Sequence, residues 1–369
     1  MKVCHMTSAH PVHDIRIFHK ECCSLAKFGF EVYLVAPNCE EEFINGVHIV
    51  SIEVNGKGRL NRMLKKGRAV FKKALELDAD IYHFHDPELL RFALRLKRKG
   101  KVVIYDAHED VPKQILDKHW IPGFARRLVS KLFQSYERYV SKRISGVISV
   151  TEIICDRFKL VNSNVQMVAN YPLMNESQTL REINVEVVPK RICYVGGLFP
   201  KRGVKEIVEA MEYVDGQLVL AGTFSPPEFE DEVRSLIGWK KVDYKGQVNR
   251  DELIQILKSS SIGIVTLHPT ASYLEALPIK MFEYMSAGIP FVASNFPYWK
   301  QIIDAEACGL LADPLRPEDI AAAIQFLLDN PDKAKIMGGN GYHAFMKKYN
   351  WEMEEQKLIN FYQRLNSKC

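Results

Sequence analysis

The sequence predicts an α/β protein built from two Rossmann-like domains, each a doubly wound parallel sheet. The chain has 369 residues, which is more than one average domain holds. Short apolar runs alternate with segments of helical periodicity along its length, which is typical of parallel sheets covered by helices on both faces. The apolar fraction of 47% is high enough to build two cores.

Predicted strands occur in two series, one in each half of the chain. The first series comprises 2–8, 30–37, 47–54, 80–85, 101–108 and 146–150. The second series comprises 191–197, 216–222, 240–246, 261–267 and 290–294. Helical patterns lie between most of these strands, so each half is expected to fold around its own sheet.

A polar segment at 170–190 separates the two series and is interpreted as a linker. It holds two prolines and has no clear apolar period. We therefore place one domain at 1–175 and a second at 176–347. The last segment, 348–369, is predicted to be a helix that crosses back onto the first domain.

Cysteine usage and hydropathy favour a cytoplasmic protein. The eight cysteines are scattered without a CxxC pair, as expected of buried thiols in a reducing compartment, and the spacing of a zinc site is missing. The first residues lack an apolar run of signal-peptide length, and no run of about 18 apolar residues occurs.

The positive charge is concentrated in the first half of the chain. Residues 1–175 carry 28 Lys and Arg against 19 Asp and Glu, whereas the remainder carries 22 against 26. Two basic segments with apolar residues, 57–73 and 119–143, could rest on an anionic membrane surface at its inner face. The alternative, in which each is an ordinary helix that packs its apolar face on the sheet, remains open.

The most informative stretch is 273–294, in which seven residues separate Glu275 from Glu283. Pro278 suits the first turn of a helix, and Gly288 would end it. The free N–H groups at such a helix start bind anions, including the diphosphate of a nucleotide. Glu283 could then hold the ribose and Glu275 a sugar, although the spacing alone is also compatible with two solvated glutamates.

This stretch resembles the E-x7-E motif of retaining glycosyltransferases with the GT-B fold, specifically family 4 (glycosyltransferases group 1). The resemblance implies two domains that face a central cleft, with the acceptor bound by the first and the donor by the second. It implies a hexosyltransferase that moves a sugar with retention from a nucleotide-diphosphate sugar to a glycan or lipid-linked acceptor, in polysaccharide or glycoconjugate synthesis. The donor is then a co-substrate, and no metal or other cofactor is expected.

Further donor contacts are implied by the segment 194–203, which ends a strand in a glycine pair before two cations. A cation there can neutralise a departing nucleoside diphosphate without a metal. Gly197 occupies the position at which the family usually has an arginine, and Lys280 could supply the compensating charge. Including segments similar to the family near 222 and 248, the donor-binding candidates are Gly196, Gly197, Lys201, Arg202, Gly222, Val248, Leu277, Pro278, Ile279, Lys280 and Glu283.

Candidates in the first half follow predicted strands, at the edge where ligands of open α/β sheets bind. His108 matches the histidine that many family members present to the donor sugar, so His108 and Glu275 are the catalytic candidates. The acceptor-binding candidates are His10, Asp14, Arg16, His85 and Asp106. Asp14 is also a good N-cap for the first helix, and both interpretations remain open.

Two other functions remain compatible with the residues. One is a nucleotide-sugar epimerase on the same fold, and the other is a non-catalytic, membrane-associated partner of a glycan assembly system. A dinucleotide oxidoreductase is disfavoured because neither half has GxGxxG after its first strand. No nucleic-acid partner is expected, because no recognised nucleic-acid-binding module is present.

Overall fold

A computed structural model describes residues 1–54, 65–118, 120–182 and 185–366. The chain divides into two compact units. Unit 1 comprises Met1–Asn170 and Glu352–Cys369, and unit 2 comprises Tyr171–Trp351. Each unit contains one predominantly parallel sheet with helices, so the predicted α/β class with two Rossmann-like sheets is confirmed.

The sheet of unit 1 has eight strands in the order β3-β4-β2-β1-β5-β6-β7-β8. All neighbouring strands are parallel except β3, which is antiparallel to β4. The strands are β1 Lys2–Met6, β2 Glu31–Pro37, β3 Glu42–Ile44, β4 Val47–Ile52, β5 Ile81–Phe84, β6 Val102–Ala107, β7 Gly146–Ser149 and β8 Val165–Met167. Every residue of the central strands β5, β6 and β7 is buried, as expected of strands covered on both faces.

The helices of unit 1 connect these strands. A π-helix at Ile15–Cys22 leads into the first α-helix. The α-helices are α1 Cys23–Lys27, α2 Gly67–Glu76, α3 Leu90–Arg98, α4 Val111–Asp117, α5 Gly123–Ser141 and α6 Glu152–Lys159. The C-terminal helix α15, Trp351–Asn366, lies in unit 1 except for its first residue, Trp351. The last helix of the chain therefore belongs to the first unit.

Unit 2 has a six-stranded sheet, parallel throughout, in the order β11-β10-β9-β12-β13-β14. Its strands are β9 Arg191–Val195, β10 Gln217–Ala221, β11 Val242–Gly246, β12 Ile262–Val265, β13 Phe291–Ser294 and β14 Gly309–Ala312. Its α-helices are α7 Met174–Glu182, α8 Val204–Ala210, α9 Glu228–Arg234, α10 Arg250–Ser259, α11 Ile279–Ala287, α12 Pro297–Glu306, α13 Pro317–Asp329 and α14 Pro331–Lys347. A parallel order of this kind brings the carboxyl ends of β9, β10 and β12 to one edge.

The predicted linker at 170–190 is wrong in one respect, because the structure forms helix α7 within it. Ser177 and Leu180 are buried one turn apart, and the Ser177 hydroxyl donates a hydrogen bond to the carbonyl of Ser286 at 2.9 Å. Two buried positions are too few to produce an apolar period that can be recognised in the sequence. Long-range packing therefore stabilises this helix.

In the described part of the basic segment 57–73, the apolar side chains expected to contact a membrane are not exposed. Val70 and Phe71 lie on α2 and are buried in the core of unit 1. Residues 57–64 of this segment lie outside the described residues. Among the helices that the structure describes, none has the length and apolar character needed to cross a bilayer.

Candidate active site

Glycines shape the turn that follows β9 in unit 2. Gly196 has a φ of 146° and Gly222 a φ of 144°, a conformation that side chains rarely tolerate. A Cβ on Gly196 would lie 2.5 Å from the Lys280 Nζ, and one on Gly222 would collide with the Gly196 carbonyl. The glycines therefore allow the ends of β9 and β10 and the Lys280 ammonium to approach closely.

Two cations lie together beside this turn. The Lys280 Nζ is 5.1 Å from the centre of the Tyr194 ring, and a Cβ on Gly196 would be 3.5 Å from Arg202 Nη1. Burial, reinforced by the charge of Arg202, lowers the pKa of Lys280 to about 8. An anionic group between the two cations would relieve their repulsion, so this position suits a phosphate or diphosphate.

Helix α11 adds its first backbone N–H groups near the same cations. The helix begins at Ile279, and Pro278 is the residue before it, with an extended φ and ψ of −71° and 126°. The expectation that Pro278 lies in the first turn is therefore wrong by one position. The helix ends as predicted, because Gly288 adopts the left-handed conformation after Ala287.

Glu283 is almost buried, with 9% of its surface exposed, and its carboxylate is hydrogen-bonded to another side chain. Its Oε1 accepts a hydrogen bond of 2.9 Å from Arg250 Nη1. Arg250 also donates from Nε to Glu176 Oε1 at 2.9 Å. One oxygen of Glu283 is thus engaged by Arg250, a residue that the sequence did not single out.

The remaining donor candidates occupy the loops at the same edge of the sheet. The loop before α11, which contains Glu275 and Leu277, is anchored by Trp299, whose Nε1 donates to the Ala276 carbonyl at 2.7 Å. Lys201 lies in a 3-10 turn at Pro200–Arg202, and Val248 lies half-buried in the loop after β11.

Gly197 has no space for a larger side chain in this structure. The ring of Phe199 covers it, with Cδ2 3.1 Å from the position that a Cβ would take. An arginine could not occupy this position unless Phe199 moved.

Asp86 is the centre of a small polar site at the carboxyl ends of β1 and β5 in unit 1. Its Oδ2 accepts hydrogen bonds from the Ser8 N–H at 2.6 Å and the Thr7 hydroxyl at 2.9 Å, and its Oδ1 lies 3.2 Å from His10 Nδ1. Burial alone would raise the pKa of Asp86, but the His10 imidazole and these donors lower it to about 2. Asp86 is therefore an anion that holds His10, which remains partly exposed.

His108 lies beside a buried ion pair. Arg16 donates to both oxygens of Asp106, at 2.9 and 3.0 Å, and to the carbonyl of Val168 at 2.9 Å. Asp106 Oδ2 also lies 3.0 Å from His108 Nε2, which is 3.1 Å from His85 Nδ1. Burial lowers the pKa of His85 to about 4, so that imidazole is neutral at physiological pH.

Three of the acceptor-binding candidates take part in these buried contacts. Arg16, His85 and Asp106 are each at most 3% exposed, so in this structure they are enclosed by protein rather than presented to an acceptor. They hold His108, which retains an exposed edge. Asp14 caps the π-helix, because its Oδ1 accepts from the N–H groups of Arg16 and Ile17.

Sequence comparison assigns the family. Residues 17–170 match Glycosyltransferase Family 4, and residues 176–344 match Glycosyl transferases group 1. The chain belongs to the group 1 glycosyltransferases. Its fold is GT-B, and the assignment as a transferase replaces the epimerase and the non-catalytic partner that the sequence left open.

Two proteins similar to this glycosyltransferase are each 24% identical to it. The D-rhamnosyltransferase of Pseudomonas aeruginosa is 24% identical over 74% of this chain and 71% of the relative. An uncharacterised glycosyltransferase of Haemophilus influenzae is 24% identical over 85% of this chain and 88% of the relative.

Solved structures share the whole fold. Sucrose-phosphate synthase from Thermosynechococcus elongatus superposes with a TM-score of 0.77 at 18% identity, covering 100% of both chains. HepE of Anabaena in complex with UDP-glucose has a TM-score of 0.73 at 14% identity, covering 99% of this chain and 100% of HepE.

The glycosyltransferase also contains a buried polar cluster beneath His108. His5 Nδ1 lies 2.9 Å from His85 Nε2, and the Tyr362 hydroxyl lies 2.7 Å from His83 Nδ1 and 3.2 Å from His5 Nε2. Glu21 Oε1 lies 3.1 Å from Arg16 Nη2, and burial raises the pKa of Glu21 well above its ordinary value. Neither Glu21 nor Tyr362 could be predicted as part of this cluster, since nothing in their local sequence marks them.

Two groups in this region bring possible metal ligands close together. They are His5, Glu21, His83 and His85, and His85, Asp106 and His108. The imidazoles of His5 and His85 are already hydrogen-bonded to each other, and both oxygens of Asp106 already accept hydrogen bonds from the Arg16 guanidinium. The donor set therefore fits a hydrogen-bonded cluster better than a metal ion.

Proposed function

We propose that this glycosyltransferase binds a nucleotide-diphosphate sugar in unit 2 and transfers the sugar, with retention, to a glycan or lipid-linked acceptor bound by unit 1. The observation that carries the proposal is the pair of cations, Lys280 and Arg202, beside Gly196 and the start of α11. Cations and helix N–H groups that converge at a glycine turn match the charge and size of a diphosphate.

The same edge of the sheet would orient the rest of the donor. The second oxygen of Glu283 would accept from the ribose, and Glu275 would contact the transferred sugar. Val248 and Gly222, at the ends of β11 and β10, would border the base and the phosphates. UDP-glucose is the first donor to test, because HepE of Anabaena was solved with it.

The departing nucleoside diphosphate gains negative charge as the bond from its oxygen to the sugar's anomeric carbon breaks. Lys280, Arg202 and the first N–H groups of α11 would stabilise that charge, so we propose that the reaction needs no metal. The acceptor oxygen forms the new bond to the same carbon, and its proton passes to a phosphate oxygen of the leaving group. His108 would contact a sugar hydroxyl near that carbon.

On the acceptor side, His10 and His108 are both partly exposed, and their rings lie 5.0 Å apart. Asp86 holds the first ring and Asp106 the second. We propose that these two histidines contact the acceptor, while Arg16, His85 and Asp106 position His108.

A ligand-induced shift in thermal stability tests the donor site. UDP-, GDP- and ADP-sugars are added to the parent protein and to Lys280→Ala, with Lys335→Ala as the control because Lys335 is exposed on α14. A donor at about 100 times its dissociation constant should stabilise the parent and the control by about 2.7 kcal/mol. The Lys280 variant should lose most of this shift, and a shift equal to that of the parent would contradict the proposed site.

Product analysis tests the reaction. With donor and a glycan acceptor, the anomeric configuration of the product is read by NMR. A product with the donor's configuration supports retention, and an inverted product would contradict it.

A further inference from the structure

Helix α5 turns its large apolar side chains toward solvent. Phe124 is 91% exposed, Leu128 61%, Leu132 62%, Tyr136 40% and Tyr139 52%. Successive members are four or three residues apart, so they lie on one side of the helix. We name these five side chains the apolar stripe.

The opposite side of α5 is the side that the protein buries. At about 100° per residue, the buried residues Ser130, Glu137 and Ser141 lie across the helix from the apolar stripe. The Ser130 hydroxyl donates to the Pro112 carbonyl at 2.7 Å, and Glu137 accepts from the Tyr105 hydroxyl at 3.2 Å. The helix thus packs polar as well as apolar groups inward, while the apolar stripe faces solvent.

Cations border the apolar stripe. Arg127, Lys131 and Arg138 are exposed on α5, and Lys142 and Arg143 follow its end. The acid of this helix, Glu137, is buried and paired with Arg157. The exposed side of α5 therefore combines apolar groups with positive charge alone.

A basic pocket adjoins the same helix. Helix α3 packs against α5, and Arg68, Arg91 and Arg95 line a cavity of about 460 Å³ together with Phe92. Arg91 is close enough to act on the Tyr136 phenol of the stripe, because partial burial raises the pKa of Tyr136 and the guanidinium charge partly opposes that rise. A phosphate-bearing headgroup beside the stripe would meet these guanidinium groups.

We propose that the apolar stripe and its bordering cations dock on an anionic phospholipid surface. Apolar side chains would enter the boundary between headgroups and acyl chains, while the arginines and lysines would contact lipid phosphates. A second copy of the chain fits less well, because it would bring one cationic border against another. The inference deepens the proposed function and rests on it only for the identity of a lipid-linked acceptor.

Vesicle flotation of the full-length chain tests the docking surface. The parent should float with phosphatidylglycerol vesicles, less with phosphatidylcholine vesicles, and less as salt increases. The double variant Phe124→Ser and Leu128→Ser should partition at least about tenfold more weakly. The control is Phe43→Ser with Leu160→Ser, because these residues are also exposed in unit 1 but lie outside the stripe.

The result that overturns the proposal is equal flotation of the parent and the stripe variant. Parent protein that stays in solution with every vesicle, and that forms a dimer abolished by the stripe variant, would also overturn it in favour of a second copy. The nucleotide-sugar thermal shift is measured on the same samples. A stripe variant that keeps this shift but no longer floats separates the docking surface from the donor site.

Discussion

At the residue scale, the charge of Lys280 links donor binding to pH. Its pKa of about 8 lies below the ordinary lysine value, because burial and the nearby Arg202 disfavour the ammonium. The unfolded chain therefore binds this proton more tightly than the folded protein does. As pH rises from about 8 toward 10.5, the folded protein loses the proton while the unfolded chain keeps it, so the free energy of unfolding increases. Donor binding has the opposite dependence, because an anionic diphosphate favours the charged form.

We therefore expect UDP affinity to fall as pH rises above 8. The loss should approach about tenfold per pH unit, since one proton is taken up with the ligand. Calorimetric titration at pH 7 and pH 9 measures it. Lys280→Met should bind weakly at both values with a much smaller difference, and an unchanged pH dependence in this variant would assign the proton to another group.

His85 gives a second prediction, on stability at low pH. Burial lowers its pKa to about 4, whereas the unfolded imidazole titrates near 6.5. The unfolded state therefore binds more protons below pH 6.5, and stability falls as pH decreases toward 4. In urea denaturation at pH 5 and pH 7, His85→Gln should show a smaller loss than the parent, by up to about 1.4 kcal/mol per pH unit.

An equal loss in the parent and in His85→Gln would contradict the neutral, buried state of His85. His13→Gln is a suitable control because His13 is exposed. It should retain the pH dependence of the parent.

At the element scale, two adjacent glycines on α14 have different functions. A Cβ on Gly338 would collide with the Gly288 carbonyl at the end of α11, whereas a Cβ on Gly339 would meet nothing within 4 Å. The first glycine lets two helices of unit 2 pack closely, and the second only weakens its own helix.

These surroundings predict opposite signs for the same substitution. Gly338→Ala should destabilise the protein by about 1–3 kcal/mol through overpacking. Gly339→Ala should stabilise it by about 0.5–1 kcal/mol, because alanine loses less backbone entropy in a helix. Urea denaturation measures the change in the free energy of unfolding in each variant. Equal changes would show that α11 and α14 do not pack closely through Gly338.

At the scale of the whole molecule, the elements that could be predicted from the sequence are those with a recognisable local pattern. Buried parallel strands produce the apolar runs that located β1, β2 and β9, and the glutamate motif located the start of α11. The strands β3, β8 and β14 were missed. Each is a short strand at the edge of its sheet and is incompletely buried, unlike the equally short central strands, so it has no long apolar run.

Contacts between distant segments could not be predicted either. Arg250 meets Glu176 across 74 residues, and His83 meets Tyr362 across 279. Such pairs depend on how whole elements pack, and neither partner has a local signal.

The C-terminal helix α15 is the largest of these long-range features, since it joins the first unit after the chain has completed the second. Its Tyr362 is buried and bonds with His83 and His5, and a Cβ on Gly146 would lie 3.3 Å from Leu365 Cδ1. Tyr362→Phe removes the hydroxyl and leaves two buried imidazoles without that partner. We expect a loss of about 1–3 kcal/mol, because an unsatisfied buried polar group costs its desolvation.

Hydrogen exchange shows which parts of the protein lose stability in this variant. In Tyr362→Phe, amides of β1 and β5 should exchange faster, whereas amides of β9 and β12 in unit 2 should be unchanged, because the broken bonds lie within unit 1. Tyr213→Phe is the control, since Tyr213 is 61% exposed and should alter neither sheet. Faster exchange in both sheets would mean that the two units unfold together, and no change in either would mean that the Tyr362 hydroxyl does not stabilise the histidines.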